Sequence, residues 1–334
     1  MKISFIAEND WANVLTEYSY CLNKHGGDIE SKSICFRPHP FNYGIQHDYD
    51  LEKCNIGQRL EAKNWIEGSD VVIFGEENHP LEPNYKTLKE FQNLLGIDLL
   101  NSNKKLCIWH PGTHYRKNFN FYNNHPHRDK IYKHFYAIDL YRLSPKTYKD
   151  WPLHTYQYYE FNYNKYINNF KKKLNSKPWT VLHIPSNSNI KGTSFINESI
   201  LKLNLDSSLF KYKVLNNIPH SEVIQEKNNS IFYIDQVNMM GGYGVAAIES
   251  LFQSNLVFCS THSVADAILK LTGKYELPII NLGLNSEDIS STLSYYLNFP
   301  EDELLLLIKG IGKWVEHQYN PSNIISTFKK ILNE

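Results

Sequence analysis

Short apolar runs that alternate with helix-period segments are the feature that most restricts how this chain can fold. The run KISFIA (residues 2–7) precedes a polar loop and then VLTEYSYCLNKHGG, which has helical apolar spacing and closing glycines typical of a helix C-terminus. The runs SDVVIFG (69–75) and KKLCIWH (104–110) continue the pattern, with NYKTLKEFQNLL between them as a helix. Strands that alternate with helices predict an α/β fold with a parallel sheet.

The pattern stops and then restarts, which indicates two domains. The 334 residues exceed the length of one ordinary core. Residues 119–177 are rich in Tyr, Asn, His and Lys and show little periodicity, and WTVLHIPS (179–186) then begins a second series. That series closes with LPIINL as a strand and with SEDISSTLSYYL, EDELLLLIKGIGKWVEHQY and SNIISTFKKIL as helices. We therefore predict domains at 1–172 and 173–320.

Composition limits the classes of partner. Lys+Arg and Asp+Glu are equal at 35 each, so no long-range field favours nucleic acid or a strongly acidic substrate. The five cysteines lack CxxC spacing, which favours buried thiols in a reducing, cytoplasmic location over disulfides or a zinc site. No apolar run approaches the ~18 residues of a membrane span, and the first residues are too short a run for a signal peptide. We expect a soluble protein and leave peripheral membrane contact open.

One stretch departs from this balance of charge. Residues 110–173 hold twelve Lys and Arg against four Asp and Glu, among many Tyr and Phe. Such a surface can bind anionic lipid headgroups, or a nucleic-acid strand by stacking. A compositional bias on a solvated face explains the same pattern, and we favour that interpretation.

The turn NMMGGYG is the first candidate for a ligand site. Ligands of parallel α/β sheets bind beyond the carboxyl ends of strands, where helices begin, and this turn joins a strand to a helix that starts near Tyr243. Its glycines let the backbone approach a diphosphate, and Glu249 on the helix can accept both hydroxyls of a ribose. The alternative is a helix that packs tightly through Gly and Ala, with Glu249 at its exposed edge.

Two further turns carry cationic groups. Lys191 precedes Gly192 at the start of a helix, where an ammonium and the helix N-terminus can converge on phosphates. In HPGTHYR, the side chains of His110, His114 and Arg116 can line a cleft. Taken alone, a Lys-Gly pair is more often a solvated turn, and unrelated histidines are usually surface or satisfied core side chains.

Two other segments have a superficial likeness to metal sites. The DYD at residues 48–50 has the Asp-x-Asp form, yet it follows an irregular Pro-rich loop. The cluster HPHRDK lacks helical or tetrahedral ligand spacing. We expect no metal site in either segment.

The order of the three turns resembles one known family, the group 1 glycosyltransferases of the B fold, which are similar to glycogen synthase. LHIPSNSNIKGTSFI resembles the strand, loop and Lys-Gly pair that open the family's C-terminal domain. The segment MGGYGVAAIESLFQSNLVFCST resembles the Gly-x-Gly turn, the Glu-bearing helix and the small strand of that family. The segment GIGKWVEHQYNPSNIISTFKKIL resembles the helices that close the family's C-terminal domain. The likeness covers most of 179–332, whereas the N-terminal half matches at scattered points such as IWHPGTHYR.

This resemblance implies two Rossmann-like domains facing a cleft, with the segment 321–334 crossing back to the N-terminal domain. It implies metal-independent transfer of a sugar from a nucleotide-sugar donor to a glycan or lipid-linked saccharide, with retention of anomeric configuration and no nucleic-acid partner. The donor-side residues that it implies are Lys191, Gly192, Asp235, Met240, Gly241, Gly242, Tyr243, Gly244 and Glu249. The acceptor-side residues are Asn9, Asp10, Asn13 and Arg116, and the catalytic residues are His110, His114 and Lys191.

Two departures from the family pattern bear on catalysis. The first acid of the family's Glu-x7-Glu pair falls on Gly241, and the Arg that often precedes the Lys is absent. Two other interpretations therefore stay open. One is a catalytically degenerate subunit that binds a nucleotide-sugar, and the other is a sugar-nucleotide epimerase of the same fold.

Overall fold

The chain divides into two compact units, Met1–Tyr158 with Pro321–Glu334 and Tyr159–Asn320. The computed structural model describes residues 1–37, 43–75, 93–99, 101–110, 115, 120, 124, 128–136, 161–203, 206–237, 242–262, 264–265 and 277–333.

Six parallel strands form the sheet of the first unit within the described ranges. They are β1 (Lys2–Ala7), β2 (Glu30–Cys35), β3 (Tyr49–Asp50), β4 (Val71–Gly75), β5 (Lys105–His110) and β6 (Lys133–Tyr136). Their order is β3-β2-β1-β4-β5-β6, and Ile3 of β1 lies opposite Ser31 on one side and Val71 on the other. This is the classical order of a doubly wound sheet, in which the winding direction reverses between β1 and β4.

Five parallel strands form the sheet of the second unit, again counting described residues. They are β7 (Trp179–His183), β8 (Phe210–Val214), β9 (Phe232–Ile234), β10 (Leu256–Cys259) and β11 (Ile280–Asn281). Their order is β11-β10-β9-β7-β8. The winding direction therefore reverses between β7 and β9, which pair in parallel with Val181 opposite Phe232.

Helices cover the sheets in the alternating pattern that the sequence predicts. They are α1 (Val14–His25), α2 (Ile56–Glu67), α3 (Tyr163–Leu174), α4 (Ser188–Lys191), α5 (Thr193–Leu203), α6 (His220–Asn228), α7 (Val245–Phe252), α8 (Ser286–Leu297), α9 (Glu301–Gln318) and α10 (Pro321–Asn333). Trp11–Asn13 and Arg128–Lys130 form 3-10 turns. Asparagine side chains cap several helix starts, and at α2 Asn55 and Gln58 form a reciprocal capping box.

An aromatic cluster holds the last helix, α10, on the first unit. The ring centroid of Phe328 lies 6.2 Å from that of Phe5, 6.0 Å from Tyr18 and 6.3 Å from Phe135. The side chain of Lys105 donates a hydrogen bond to the Leu332 carbonyl oxygen at 3.1 Å. The final segment thus packs against the first unit although it follows the second along the chain.

A buried lysine on α3 binds the C-terminal ends of two helices in the second unit. The Lys173 ammonium donates to the carbonyl oxygens of Lys227 at 3.0 Å and Gln253 at 2.5 Å, at the ends of α6 and α7. Burial lowers the pKa of Lys173, but the partial negative charge at two helix C-termini favours a cation at this position.

The same helix corrects the predicted domain boundary. A boundary between residues 172 and 173 would cut α3, whereas α3 lies wholly in the second unit. The reason is its packing on α9, where the Tyr166 ring fills the space above Gly312 so closely that a Cβ there would lie 2.8 Å from a ring carbon. The prediction of two Rossmann-like α/β domains is confirmed. The helix predicted at NYKTLKEFQNLL falls mostly outside the described residues.

Within the ranges that the structure describes, no helix has the length and apolar content needed to cross a membrane.

We predict that Phe328→Ala lowers the free energy of unfolding of the first unit by about 3 to 5 kcal/mol, because it removes a buried ring contacted by three others. Urea denaturation followed by near-UV circular dichroism measures the change. Thr327→Ala, at the exposed neighbouring position, is the control and should change stability by less than about 0.5 kcal/mol. An equal, small effect of both variants would show that α10 is not anchored by this cluster.

Candidate functional site

The candidate donor site lies at the point in the second sheet where the winding direction reverses. Lys191 follows β7, and Asp235 is the first residue after β9. Since β7 and β9 are neighbours and parallel, the loops after them leave the same edge of the sheet. Ligands of open α/β sheets bind at such a point because the diverging helices leave a crevice there.

Gly192 brings the two loops together. Its φ of +69° is left-handed, and it ends the short helix α4, which Asn187 caps by accepting hydrogen bonds from Asn189 and Ile190. A Cβ at Gly192 would lie 1.9 Å from the Val237 carbonyl oxygen, and the Val237 N–H donates to the Lys191 carbonyl at 3.0 Å. Only glycine satisfies both the backbone angle and this close approach.

A wholly buried carboxylate connects Lys191 to the start of α7. The Lys191 ammonium lies 2.9 Å from Asp235 Oδ1, and the Gly244 N–H donates to Asp235 Oδ2 at 2.8 Å. Gly244 is the N-cap residue of α7, and a Cβ there would lie 3.1 Å from Lys191 Nζ. The ammonium therefore sits beside a helix N-terminus, where the helix dipole adds partial positive charge.

A buried histidine that sequence reasoning did not identify supports this arrangement. His183 Nδ1 lies 2.8 Å from the Ile234 carbonyl oxygen, and Nε2 lies 2.9 Å from the Thr193 hydroxyl. Because a carbonyl oxygen only accepts, Nδ1 carries the proton and Nε2 accepts from Thr193. Burial lowers the pKa of His183, and this favours the neutral ring. The neutral ring links β7, β9 and α5 through its two hydrogen bonds.

Glu249 is buried, and each of its carboxylate oxygens contacts a basic side chain. Its Oε2 lies 2.5 Å from the ammonium of Lys227, which is 0% exposed, and its Oε1 lies 2.5 Å from His220 Nε2. Burial opposes ionisation, but Lys227 and His220 prevail and hold the pKa of Glu249 at about 2. Lys227 also donates to the Ala246 carbonyl at 3.0 Å and lies 5.0 Å from the Tyr233 ring centroid.

This geometry revises the alternative in which Glu249 lies at an exposed helix edge. That alternative is wrong, because the residue is only 4% exposed. Its charge compensates Lys227, which sequence inspection alone would place on the solvated face of a polar helix. The ribose-binding role implied for Glu249 stays a prediction. His220 contacts Glu249 Oε1, an oxygen that a ribose hydroxyl would need.

Residues implied on the acceptor side cluster at the reversal point of the first sheet. Asp10, 2% exposed, accepts the N–H groups of Leu15 at 3.0 Å and Thr16 at 2.8 Å, so it caps the start of α1. Asn13, at a φ of +59°, donates to the Ile45 carbonyl at 2.9 Å. Both therefore also fix the loop that follows β1, whereas Asn9 is half-buried.

His110, implied as catalytic, is buried at the carboxyl end of β5. Its Nε2 lies 3.1 Å from Nδ1 of His134 on β6, with the rings 5° from parallel, and its ring centroid lies 4.6 Å from that of Tyr115. His134 was not predicted because it shares no sequence motif with His110. Four implied residues lie outside the described residues: His114, Arg116, Met240 and Gly241.

The structure thus groups Lys191, Gly192, Asp235 and Gly244 into one site, with Glu249 on the helix that begins there. Gly242 is close by, since its carbonyl accepts from the side chains of Gln236 and, at 3.1 Å, Cys259. Tyr243 precedes the helix start. In the part of the chain that the structure describes, no group of three or more His, Cys, Asp or Glu side chains could hold a metal ion.

Solved structures share this architecture over nearly the whole chain. No protein-family model and no curated protein matches the sequence. An alpha-glucosyltransferase in complex with UDP and a 13-mer DNA containing an HMU base aligns over 100% of both chains, with a TM-score of 0.65 and 10% identity. A glycosyltransferase from Rickettsia africae ESF-5 aligns over 99% of this chain and 98% of its own, with a TM-score of 0.56 and 12% identity.

A UDP-glucosyltransferase from Polygonum tinctorium aligns over 100% of this chain and 99% of its own, with a TM-score of 0.50 and 8% identity. Identities this low define the fold alone. The chain therefore has the B fold of glycosyltransferases, as the family resemblance implies.

We predict that Glu249→Ala destabilises the second unit by about 3 to 5 kcal/mol, because it leaves the buried Lys227 ammonium without its counter-charge. Urea denaturation measures the loss. The double variant Lys227→Met with Glu249→Met should recover most of it, since an apolar pair replaces the buried ions. Glu316→Ala, at an exposed position of α9, is the control. Full stability of the single variant would contradict the pairing.

The same pair predicts a pH dependence. The folded pKa of Glu249 is about 2, below its ordinary 4.5, so its contribution is complete above about pH 4.5 and is lost as pH falls through 2. The difference in unfolding free energy between wild type and Glu249→Gln should therefore shrink by about 3 kcal/mol between pH 6 and pH 2. A difference that does not change with pH would mean that Glu249 titrates normally.

Proposed function

We propose that this protein is a glycosyltransferase that moves a sugar from a nucleotide-sugar donor to a glycan or lipid-linked saccharide. One observation carries the proposal. In a chain with the B fold, the Lys191 ammonium and the N-terminus of α7 meet at the reversal point of the second sheet, where Asp235 holds both. A nucleoside diphosphate is the ligand that such a paired cation and helix end would bind.

The proposed chemistry is stabilisation of the leaving diphosphate. As the bond to the sugar breaks, negative charge grows on the diphosphate oxygens, and preorganised donors lower the barrier by meeting that charge. An ammonium has three N–H groups, and Lys191 gives one to Asp235, so two remain for phosphate oxygens. We propose that these two donors and the α7 dipole perform the task without a divalent metal.

Asp235 has a positioning role in this scheme. Without it, the long side chain of Lys191 would sample many rotamers, and binding would have to order them. With it, the ammonium is already held beside α7 before the donor arrives. The carboxylate also lowers the net positive charge of the site, which limits affinity for the nucleotide product.

For the nucleoside, we propose that Glu249 and His220 act together at the ribose. His220 begins α6, and its side chain, 15% exposed, covers the Glu249 oxygen that it contacts. A ribose hydroxyl would meet the imidazole first and reach the carboxylate when the ring turns aside. Retention of anomeric configuration, which the family resemblance implies, stays a prediction.

One observation favours the degenerate binding subunit as the second candidate. Asp235 already accepts one N–H of the Lys191 ammonium and the N–H of Gly244, the N-cap residue of α7. If the donor cannot displace or share these contacts, the fold would persist without turnover. Catalytic transfer by the isolated chain separates the two candidates.

We predict that one nucleotide series among UDP, GDP, ADP and CMP raises the melting temperature of the wild type and that Lys191→Ala abolishes the shift. A ligand at one hundred times its dissociation constant stabilises by about 2.7 kcal/mol, which a thermal shift detects. Lys211→Ala, an exposed lysine on β8, is the matched control and should behave as wild type. Lys191 is preferred to Glu249 for this test because replacing Glu249 also destabilises the unit.

The matching nucleotide-sugar is then incubated with oligosaccharides, lipid-linked saccharides and DNA containing an HMU base. Release of the nucleotide together with a new glycosidic bond supports the transferase. The compound that becomes glycosylated then identifies the class of acceptor. Binding without turnover supports the degenerate subunit, whereas an isomerised donor without transfer indicates an epimerase. A folded protein that no nucleotide stabilises would refute the proposal.

A further inference from the structure

A cavity of about 610 Å³ opens on the second unit beside α3, and we call it the α3 cavity. Its walls come from α3, from the residue before it and from the C-terminal ends of α6 and α7. Gln253, which ends α7, lines the cavity, whereas Gly244 begins that helix at the donor site. A helix of 8 residues is about 12 Å long, so the α3 cavity is separate from the donor site. Its volume is in the range of sites that bind small ligands.

Amide side chains and aromatic rings make up most of the lining. Of the ten residues that line the cavity, five carry a side-chain amide, three carry an aromatic ring, two carry an ammonium and none is acidic. An amide both donates and accepts hydrogen bonds, and so does a sugar hydroxyl. An aromatic ring offers apolar surface to the C–H groups of a sugar ring. The lining therefore fits a ligand that is rich in hydroxyl groups.

The hydrogen bonds of Asn169 fix the direction of its amide. Its Nδ2 lies 3.4 Å from the Gln253 carbonyl oxygen, 3.2 Å from Ser254 Oγ and 3.2 Å from Asn228 Oδ1. Because a carbonyl oxygen only accepts, the NH₂ group of Asn169 faces the helix ends, and Asn228 uses its oxygen for this contact. Among the residues that the structure describes, neither Asn169 Oδ1 nor Asn228 Nδ2 has a hydrogen-bond partner. The wall thus keeps one acceptor and one donor for a ligand.

Two lysines place positive charge on the same face of α3. Lys165 and Lys172 both line the cavity and are both exposed, and their spacing corresponds to about two helical turns. Within the described ranges, neither ammonium forms a salt bridge or a side-chain hydrogen bond. An ammonium makes charge-assisted hydrogen bonds to carboxylate and phosphate groups. The matching ligand is therefore a saccharide that carries acidic groups.

A nucleic-acid strand matches this lining less well. Such a strand needs cations along its backbone and open ring faces on which its bases stack. Here five amides stand beside two ammoniums, and the rings of Tyr166 and Phe252 are buried. Phe161 is half-buried, and its ring centroid lies 6.0 Å from that of Phe252. One partly open ring suits a sugar better than a row of bases.

We infer that the α3 cavity is a second saccharide-binding site, which holds an acidic glycan away from the donor site. The carboxylate or phosphate groups of the glycan pair with Lys165 and Lys172. Its hydroxyls donate to Asn169 Oδ1 and accept from Asn228 Nδ2, while a sugar ring packs on Phe161. The role of this glycan as an acceptor rests on the proposed transferase function, whereas its binding does not.

Isothermal titration calorimetry of the full-length protein tests the binding. The probes are trigalacturonate, which carries carboxylates, phosphopentamannose, which carries a phosphate, and neutral maltotriose. One or both acidic probes should bind, more weakly with added salt, and the probe that binds identifies the acidic group. The double variant Lys165→Ala with Lys172→Ala should lose at least about tenfold in affinity, because it removes two charge-assisted contacts. Lys171→Ala, an exposed lysine of α3 outside the lining, is the matched control and should bind as wild type.

The amide wall is tested with Asn228→Asp. This variant keeps the oxygen that accepts from Asn169 and replaces the NH₂ donor, so the melting temperature should not change while affinity for the acidic probe falls at least about tenfold. Failure of both acidic probes to bind, equal affinity for maltotriose, or wild-type affinity in the double lysine variant would overturn the inference. Tighter binding of a single-stranded DNA oligomer, lost in the same double variant, would overturn it in favour of a nucleic-acid site.

The calorimetry needs neither donor nor turnover, so its result is independent of the nucleotide panel. Lysine-dependent glycan binding by a protein that no nucleotide stabilises would support the α3 cavity and refute only the transferase. Where the bound glycan is also glycosylated, the double lysine variant should raise its KM, leave kcat unchanged and keep the nucleotide-induced melting shift. An unchanged KM would refute the acceptor role of the glycan held in the cavity.

Discussion

The carboxylate of Asp235 is the group on which the candidate donor site depends. It is wholly buried, and burying an ionised carboxylate is costly unless charged and N–H donors compensate it. Here the donors come from two separate segments, the Lys191 ammonium after β7 and the Gly244 N–H at the start of α7. The energetic need to satisfy one buried acid therefore holds three pieces of chain in register, and the left-handed Gly192 permits their close approach.

Charge burial recurs through the second unit. Glu249, on α7, compensates the buried charge of Lys227. Lys173 binds the C-terminal ends of α6 and α7. These contacts tie the start and the end of α7 to the rest of the unit by polar groups, whereas its middle packs through apolar side chains. A helix anchored in this way presents its N-terminus at a constant position, which suits a site that must meet charge developing in a transition state.

Histidine side chains of the first unit make hydrogen bonds near the carboxyl ends of its strands. His110, at the end of β5, shares a buried hydrogen bond with His134 on β6. The Thr16 hydroxyl bonds His47, and the Thr16 backbone N–H donates to Asp10. Imidazole groups suit the handling of a hydroxyl, whereas an ammonium suits the handling of a diphosphate.

The sequence alone indicated β1, β4, β5, β7, β9, β10 and β11, the two-domain α/β class and the turns that carry Lys191, Gly192, Gly244 and Glu249, because apolar periodicity and glycine placement are local properties. It did not indicate β2, β3, β6 and β8. The domain boundary that the sequence suggested, between residues 172 and 173, differs from the observed one, because α3 belongs to the second unit through its packing on α9. Tertiary structure alone decided that Asp235 holds Lys191, that Glu249 faces Lys227 and His220, and that Thr16 contacts both His47 and Asp10. The physical reason is distance along the chain. Asp235 lies 44 residues from Lys191, Glu249 lies 22 and 29 residues from Lys227 and His220, and His47 lies 31 residues from Thr16. Only strand order and helix packing bring these partners into contact.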